Sequence, residues 1–311
     1  MVSNGTEASC SRRSVLAAVG TGIAGGVAGC LDSSASVSVL AAGSLAQTVE
    51  HHVGPAFESE TDTAVHGEYY GSNALLRMVE DRMKTPDVVV SADATLLRDR
   101  LYDEYVSGDV EFATNVLGIC YAPSTELGER LDAGEPWYEP VRDADDGAVA
   151  ITEPDLDPLG YRALLAFELA ERKHGLDGFR DTVGEAVYRE PEEPQLLAGV
   201  AAGNRAAAIS YRNMAVDHDL PFRSFPPAYN FADPAYADDY ATVSFVTDDG
   251  YEVVGRPIVY NAAIPDDADN PDAAESLVSF LATSPSLLET AGLSVPEPYP
   301  QTAGAEPGVD L

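Results

Sequence analysis

Short apolar runs alternate with helical patterns along most of the chain. VSVLAAGS, TAVHGEYYGS and PDVVVSAD each predict a strand, and a helical pattern follows each of them. In the helix predicted from NALLRMVEDRMK, one apolar stripe is expected to contain Leu75, Leu76, Val79 and Met83. The Gly54-Pro55 pair is expected to kink or interrupt the first helix before Phe57. Strands that alternate with helices of this length predict right-handed βαβ units in an α/β sheet.

The second half of the chain repeats this alternation. VLGICYAP predicts a strand, and AVAITEPDLDPLGYRALLAFELAERKHG predicts a strand, a loop and a long helix. Asp157 stands at the N-cap of this helix, Pro158 at its first position and Gly175 at its C-cap. The Glu- and Pro-rich stretch 189–194 is predicted to be a surface loop. Two later strand patterns, YATVSFV and GRPIVYNAAIP, precede a helical tail.

The order of these patterns predicts an α/β fold with two lobes. We expect lobe 1 to consist of residues 38–117 plus 241–311, because the β-then-α tail is too small to fold alone. Lobe 2 would then cover residues 118–240. Each lobe would be an open sheet flanked by helices, with two crossing strands as the hinge. A cleft between two such lobes is a natural ligand site.

The first 37 residues have a different character. SRRSVLAAVG begins a weakly apolar, Gly- and Ala-rich run that ends in VAGC at Cys30. This predicts a twin-arginine-type export signal over residues 1–29, then a lipidated Cys30 and a tether over residues 30–37. The alternative is an uncleaved leader. Cys10 would leave with the signal, so Cys120 would remain as a free thiol without any disulfide framework. We therefore expect an exported protein that is lipid-anchored at the outer face of the membrane.

The charge balance excludes one class of function. The 311 residues include 52 acidic and 18 basic side chains, a formal net charge of −34, whereas nucleic-acid binding needs basic patches. The acidic residues are spread along a chain with ordinary apolar content, which favours a folded protein over a disordered one. Such a surface is typical of a halophile, and an acidic protein from a low-salt organism is the alternative.

Two Gly-Ser pairs stand where a strand ends and a helix begins. They are Gly43-Ser44 after the first strand and Gly71-Ser72 after the second, and neither loop contains Lys or Arg. At the carboxyl edge of an open α/β sheet, helix N-termini direct free N–H groups into the crevice. With a serine hydroxyl, these groups form an anion site that needs no cation. Ordinary N-capping by serine is the alternative role.

Other chemistries find little support in the sequence. GxxxxGK[ST], GxSxG, HExxH and CxxC are absent, which argues against a nucleotide loop, a serine hydrolase and a zinc site. The DLDPLG loop lacks the glutamate of an EF-hand, because Ala166 occupies position twelve. An exported hydrolase that uses Ser44 stays as an alternative, although no motif supplies its base.

An ordered set of motifs resembles a known family. AAGSL, YYGSNALLRMV, DVVVSAD, DPLGYRALLAFELAE, SYRNMAVDH, YADDYATVSF and GRPIVYNAAIP occur in this order between residues 36 and 300. Together they resemble the archaeal molybdate/tungstate-binding proteins of ABC importers, a branch of the type II periplasmic-binding fold. The resemblance implies a monomeric solute-binding protein, with no enzymatic activity and no cofactor, that passes molybdate or tungstate to a membrane permease.

The resemblance also assigns site residues. The implied oxyanion-binding positions are Gly43, Ser44, Ser72, Asp155, Leu156, Asp157, Ser210, Tyr211 and Tyr229. In the archaeal branch, a carboxylate matching Asp157 and a glutamate before the Tyr of a later strand approach the metal and make it six-coordinate. Here Ser210 occupies the glutamate position, so only one of these two carboxylates is kept. The Ser210 hydroxyl could instead donate to a tetrahedral oxyanion.

The same fold could serve other ligands. Sulfate, phosphate or another small anion is the alternative to molybdate or tungstate. An organic anion would be expected to recruit arginine for its carboxylate, and Arg162 and Arg212 lie near the candidate loops.

Overall fold

The computed structural model describes Met1 and residues 35–305. Residues 2–29 of the predicted export signal, Cys30 and residues 31–34 of the tether lie outside the described residues, whereas Ser36 and Val37 of the predicted tether belong to the first strand. Within residues 35–305, no helix is both long enough and apolar enough to cross a membrane.

Strands and helices alternate through this part of the chain. The strands are β1 Ser36–Ala42, β2 Ala64–Tyr70, β3 Val88–Ser91, β4 Gly108–Thr114, β5 Leu117–Tyr121, β6 Val149–Thr152, β7 Tyr188–Glu190, β8 Ala207–Tyr211, β9 Phe222–Ser224, β10 Ser244–Val246, β11 Glu252–Val254, β12 Val259–Ala263 and β13 Gln301–Gly304. The α-helices are α1 Ala46–Thr48, α2 Gly54–Thr61, α3 Ser72–Glu80, α4 Ala94–Leu101, α5 Glu126–Asp132, α6 Tyr138–Arg142, α7 Pro158–His174, α8 Phe179–Ala186, α9 Leu196–Ala201, α10 Arg212–Asp217, α11 Ala237–Tyr240, α12 Pro271–Thr283 and α13 Pro285–Thr290. Turns of 3₁₀ helix cover Gly43–Leu45, Glu193–Gln195 and Pro234–Tyr236, and a π-helical segment covers Val49–Val53.

The first sheet has the strand order β13-β4-β12-β3-β1-β2. β1 pairs in parallel with both β2 and β3, as the βαβ pattern predicts. β12 lies antiparallel between β3 and β4. A strand from the C-terminal part of the chain therefore completes a sheet that the N-terminal part begins.

The second sheet has the strand order β7-β6-β8-β5-β9. β6 is parallel to β7 and β8, whereas β5 is antiparallel to β8 and β9. The long helix α7 follows β6 and begins as predicted, with the Asp157 side chain accepting a hydrogen bond from the Leu159 N–H. It ends at Gly175, whose φ of 65° is the left-handed conformation expected of a C-cap glycine.

The chain crosses between the two sheets twice. Only Asn115 and Val116 separate β4 of the first sheet from β5 of the second. The return crossing is longer, runs from β9 to β12 and includes the β10–β11 hairpin. The predicted architecture of two α/β sheets flanked by helices is confirmed.

The first helix is not interrupted at Gly54-Pro55, although it changes to a π-helical segment directly ahead of this pair. The chain stays helical from Gly43 to Thr61, because the π-helical segment Val49–Val53 is followed directly by α2. Pro55 lies in the first turn of α2, where its missing N–H is tolerated. The π-helical segment has a wider turn than an α-helix, and it keeps the helix continuous ahead of Pro55.

The prediction of a surface loop over residues 189–194 holds for the exposed Pro191 and Glu192 but is wrong for Glu193. The stretch starts in β7 and ends in a 3₁₀ turn, and Glu193 in that turn is only 1% exposed. The acidic composition of the segment predicts exposure, but the Glu193 side chain points into the protein.

Candidate functional site

The site begins where β1 ends, at the Gly43–Leu45 turn. Gly43 and Ser44 are buried, and the Ser44 hydroxyl lies 3.1 Å from the Tyr260 hydroxyl on β12. Asn213 at the start of α10 donates to the Ser44 carbonyl at 2.7 Å. Asn115, at the first crossing, donates to the Asn213 side chain at 2.8 Å and to the Tyr260 hydroxyl at 3.2 Å. The turn is therefore held by both sheets and by the crossing between them.

The second Gly-Ser pair lies at the N-terminus of α3. Ser72 is buried, and its hydroxyl oxygen accepts a hydrogen bond from the Ala92 N–H at 3.0 Å. Its own proton remains available to a ligand. A Cβ atom at Gly71 would lie 2.3 Å from the Leu156 carbonyl oxygen. Glycine is required here because the loop ahead of α7 approaches α3 so closely.

The loop ahead of α7 is fixed by contacts with the first sheet. Leu156 donates its N–H to the Glu153 carbonyl at 3.0 Å. The Asp155 carbonyl accepts from Arg77, and its carboxylate accepts from the Asp248 N–H at 2.7 Å. Asp155 and Leu156 thus join elements of the two sheets. These contacts do not support their predicted role as direct oxyanion ligands.

Asp157 caps α7 and also faces the polar cluster between the sheets. Its Oδ1 accepts from the Leu159 N–H at 3.2 Å, while Oδ2 has no hydrogen-bond partner among the described residues. Burial raises the pKa of Asp157 to about 6, although the Thr152 hydroxyl, the Leu159 N–H and the Arg162 charge act to lower it. Capping and ligand binding are compatible because they use different oxygens.

Glu193 supplies a second carboxylate that the sequence reasoning missed. Its side chain packs against the Gly43–Leu45 turn, so closely that a Cβ atom at Gly43 would lie 2.8 Å from Oε2. Both of its carboxylate oxygens lack a hydrogen-bond partner among the described residues. Burial and the negative charge of Asp157 raise the pKa of Glu193 well above its usual value, against the lowering effect of the nearby Ser44 N–H, Ser44 hydroxyl and Gly43 N–H, none of which reaches hydrogen-bond geometry. Nothing in the local sequence distinguishes it from the exposed Glu192.

β8 brings two hydroxyl groups to the same place. Ser210 is completely buried, and its hydroxyl has no partner among the described residues. The Tyr211 hydroxyl oxygen accepts from Arg162 at 2.7 Å, which leaves the phenolic proton free to donate. Burial raises the pKa of Tyr211 well above its usual value, although the positive charge of Arg162 acts to lower it.

The two arginines considered for an organic ligand have partners within the protein. Arg162 forms a buried ion pair with Asp93 at 2.8 Å. Arg212 donates to the carbonyls of Gly292 at 2.9 Å and Leu293 at 3.0 Å. Because neither guanidinium presents a free pair of donors, these contacts argue against a ligand held by an arginine–carboxylate pair.

Tyr229 lies in a different environment from the rest of the predicted set. Its hydroxyl contacts the Trp137 indole nitrogen and His174 Nε2, each at 3.1 Å. Phe225 packs against both Trp137 and Tyr229 in this aromatic core. The predicted role of Tyr229 as an oxyanion donor gains no support, because other side chains engage its hydroxyl.

The resulting cluster combines uncharged donors with two carboxylates. The first sheet contributes Ser44 and Ser72, and the elements of the second contribute Asp157, Glu193, Ser210 and Tyr211. Within residues 35–305, no group of three or more His, Cys, Asp or Glu side chains is arranged to hold a metal ion. The arrangement can receive an oxyanion through its hydroxyls and can offer carboxylate oxygens to an electron-poor centre.

Two α/β sheets, two crossings and a polar cluster between the sheets define a two-lobed, periplasmic-binding-protein-like fold. The periplasmic molybdate-binding protein of Azotobacter vinelandii has a similar structure, with a TM-score of 0.62 and 16% sequence identity. The match covers 84% of this chain and 100% of that chain. At this identity the likeness establishes the fold.

Similarity in sequence shows the family to which this chain belongs. Residues 37–287 match the family of bacterial extracellular solute-binding proteins, and this chain belongs to that family. An uncharacterized solute-binding protein of Halobacterium salinarum is 51% identical, over 96% of each chain. A Haloferax volcanii protein, provisionally named an ABC transporter molybdenum-binding protein, is 38% identical, again over 96% of each chain. The resemblance seen in the sequence is confirmed, and the chain is an extracytoplasmic solute binder rather than an enzyme.

Proposed function

We propose that this protein is the lipid-anchored solute-binding component of an ABC importer and that it captures molybdate or tungstate. Cys30, exposed by removal of residues 1–29, would carry the lipid. Lobe 1 would comprise residues 38–117 plus 241–311, and lobe 2 residues 118–240. The loaded protein would present its ligand to a membrane permease.

The observation that carries the choice of ligand is the buried Asp157 carboxylate, one oxygen of which has no hydrogen-bond partner among the described residues. A dianion beside an ionised carboxylate is strongly repelled in a buried place, unless the carboxylate binds the central atom or takes up a proton. The sulfur of sulfate and the phosphorus of phosphate do not add carboxylate ligands. Molybdenum(VI) and tungsten(VI) are larger and can extend their coordination from four to six, so the site favours a metal oxyanion. The relative named for molybdenum binding supports the same choice.

Closure of the two lobes would trap the ligand. The hydrogen bond from Asn213 to Ser44 already spans the cleft at 2.7 Å, as expected of a closed form. Lobe 1 would contribute Ser44 and Ser72, and lobe 2 would contribute Asp157 and Ser210. Because the donors are divided, a ligand that contacts all of them stabilises the closed form over the open one.

Calorimetric titration of the purified protein in molar KCl tests this proposal. We expect molybdate or tungstate to bind at least about 100-fold more tightly than sulfate or phosphate, a difference of about 2.7 kcal/mol in binding free energy. The absence of binding by both metal oxyanions would contradict the proposal. Binding of sulfate or phosphate alone would assign the site to a different anion.

A further inference from the structure

A buried ion pair links the two sheets. Asp93 follows β3 of the first sheet, and Arg162 lies on α7, which follows β6 of the second. Each side chain is only 2% exposed, and Arg162 Nη2 lies 2.8 Å from Asp93 Oδ2. Among the ion pairs of residues 35–305, it is the only one that joins the elements of the first sheet directly to those of the second.

Three hydrogen bonds cross between the two sheets at this pair. Besides the bond within the pair, Asp93 Oδ2 accepts from the Tyr161 hydroxyl at 2.7 Å, and Arg162 Nη1 donates to the Ala92 carbonyl at 3.0 Å. Asp93 Oδ1 serves its own helix, because it accepts from the Leu96 N–H at the start of α4. The buried Oδ2 atom is therefore satisfied only while α7 lies against the loop that follows β3.

The same guanidinium is bonded to the supports of the anion site on both sides. Arg162 Nη1 donates to the Tyr211 hydroxyl of the second sheet at 2.7 Å. In the first sheet, the Ala92 N–H donates to the Ser72 hydroxyl at 3.0 Å, and the Ala92 carbonyl accepts from Arg162. Arg162 thus stands one bond behind a hydroxyl of the second sheet and one residue behind a hydroxyl of the first. A contact in this position forms only when the two sheets have come together.

Burial determines how such a pair acts. Opposite charges in contact inside a protein are screened by salt much less than exposed charges are, so the attraction persists at molar ionic strength. Taking both charges out of water is costly, and the cost is offset only when the geometry and the additional hydrogen bonds are complete. The pair therefore favours a fully closed arrangement of the sheets over a partly closed one, in which the charges would be neither paired nor fully hydrated.

We propose that Asp93 and Arg162 form a latch that holds the two lobes closed around a bound anion and sets the rate at which the anion leaves. This inference rests on the proposed function and adds to it a positioning pair that does not contact the ligand. In the open form both side chains would be hydrated, and in the closed form they pair. The latch then lengthens the residence time by the same factor for every anion that closes the cleft.

The test replaces Asp93 by Asn, which can still cap α4 through its side-chain oxygen. Its amide group would face Arg162 and Tyr161, where both need an acceptor, and the Arg162 charge would be buried without a partner in the closed form. Bound radiolabelled molybdate, chased with excess unlabelled molybdate in molar KCl, should dissociate at least about 30-fold faster than from wild type. The association rate should change by less than about 3-fold. Tungstate dissociation should accelerate by the same factor as molybdate dissociation.

Asp109→Asn is the matched control, because it breaks a buried ion pair within one sheet. Asp109 is fully buried and is bound by Arg98 at 2.8 Å and Asn261 at 2.9 Å, all three in elements of the first sheet. This variant should unfold at a lower temperature than wild type without ligand, and it should release molybdate at the wild-type rate. Asp93→Asn should behave in the opposite way, with a ligand-free unfolding temperature close to that of wild type, because its partner is hydrated when the lobes are open.

Tyr161→Phe is a milder second variant that removes one bond across the sheets and keeps the ion pair. It should accelerate molybdate dissociation by about 3- to 10-fold. Wild-type dissociation rates in both Asp93→Asn and Tyr161→Phe would overturn the inference. So would unequal acceleration for molybdate and tungstate, or a ligand-free unfolding temperature of Asp93→Asn as low as that of Asp109→Asn. Absence of molybdate and tungstate binding by the wild type would instead refute the proposed function on which the inference rests.

Discussion

At the scale of single residues, the site depends on how each polar atom is shared between the protein and a ligand. Asp157 gives one oxygen to the N-terminus of α7 and keeps the other unpartnered. Tyr211 accepts a hydrogen bond from Arg162 and keeps its proton. Ser72 likewise accepts from the Ala92 N–H. In each case the protein uses one function of the group and leaves the other for the ligand.

The raised pKa of Asp157 predicts how ligand-free stability depends on pH. Because the folded-state pKa of about 6 exceeds the ordinary 3.8, the native state binds more protons than the unfolded state between these values. The contribution of Asp157 to stability is therefore fully present below pH 4 and is lost as the pH rises through about 6. The pKa of Glu193 is also raised. The positive charge of Arg162 acts to lower the pKa of Asp157.

Replacement of Asp157 by Asn should remove this dependence and keep the helix cap, since Asn is also a good N-cap residue. The difference in unfolding temperature, wild type minus Asp157→Asn, should fall between pH 4 and pH 7 when measured by calorimetry without ligand. Asp181→Asn changes an exposed carboxylate on α8, with 83% of its side chain accessible, and is the matched control. Parallel curves for wild type and Asp157→Asn would contradict the prediction.

The sequence could predict some of these residues and not others. The Gly-Ser pairs and Asp157 follow from strand-to-helix junctions, and a junction is recognisable from its residue types alone. Glu193 and Tyr260 carry no such signal. Their positions depend on which loop the fold brings against Gly43, and that pairing is decided by the order of strands rather than by local sequence.

At the scale of elements, the loop ahead of α7 is one of the contacts between the two sheets near the site. The Ala74 N–H donates to the Leu156 carbonyl at 3.1 Å. Asp248, just beyond β10, donates its N–H to the Asp155 carboxylate, and the neighbouring Asp249 pairs with Arg100 at 2.6 Å. The β10–β11 hairpin therefore supports the loop that carries Asp157.

Replacement of Gly71 by Ala should hinder this contact. The new Cβ would meet the Leu156 carbonyl oxygen at 2.3 Å and the Asp157 Cβ at 2.8 Å, both far inside van der Waals distance. Since backbone must move to relieve the clash, we expect molybdate affinity to fall by at least about 10-fold, or 1.4 kcal/mol. Small-angle scattering with ligand should show a larger radius of gyration than wild type.

Gly199→Ala is a suitable control for this experiment, because its Cβ would meet only the flexible side chain of Arg205, at 3.2 Å. Wild-type affinity and a wild-type scattering profile for Gly71→Ala would show that α3 and the loop need not approach each other for binding.

Elements with clear periodicity could be predicted, whereas β4 could not. Its sequence, GDVEFAT, contains two acidic residues that normally indicate exposure. Asp109 is nevertheless fully buried, because Arg98 of α4 binds it at 2.8 Å and Asn261 of β12 donates to it at 2.9 Å. The partners that stabilise Asp109 in this strand lie in other elements. The sequence of the strand alone therefore predicts a loop.

At the scale of the whole molecule, the sequence carries a net charge of −34. Self-repulsion of this size opposes the compact state, and salt reduces it as the screening length falls from about 10 Å at 0.1 M to about 3 Å at 1 M. The same charge would also repel an approaching dianion at low ionic strength. A saline working environment relieves both effects.

We therefore expect the unfolding temperature to rise steeply as KCl increases from about 0.1 M towards molar concentrations, where screening is almost complete. Sucrose at matched osmolality is the control, since it favours compact states without screening charge. An unfolding temperature that is independent of KCl, or one that sucrose raises equally, would contradict a charge-based mechanism.

The two-sheet architecture could be predicted from the sequence because it follows from repeated local patterns. The α/β alternation, the βαβ handedness and the return of the tail all depend on short stretches that can be read independently. The strand order within each sheet depends on long-range pairing, and the interior position of β12 in particular has no local signature.

The interior position of β12 has a consequence for synthesis. Val259–Ala263 separates β3 from β4 in the first sheet, so the ribosome must translate most of the chain before that sheet can close. Tyr260, which contacts Ser44, arrives with the same strand. All strands of the second sheet have been made by Ser224 and can pair earlier. A nascent chain therefore holds an unfinished anion site until its last quarter emerges, and it becomes able to bind only when synthesis is nearly complete.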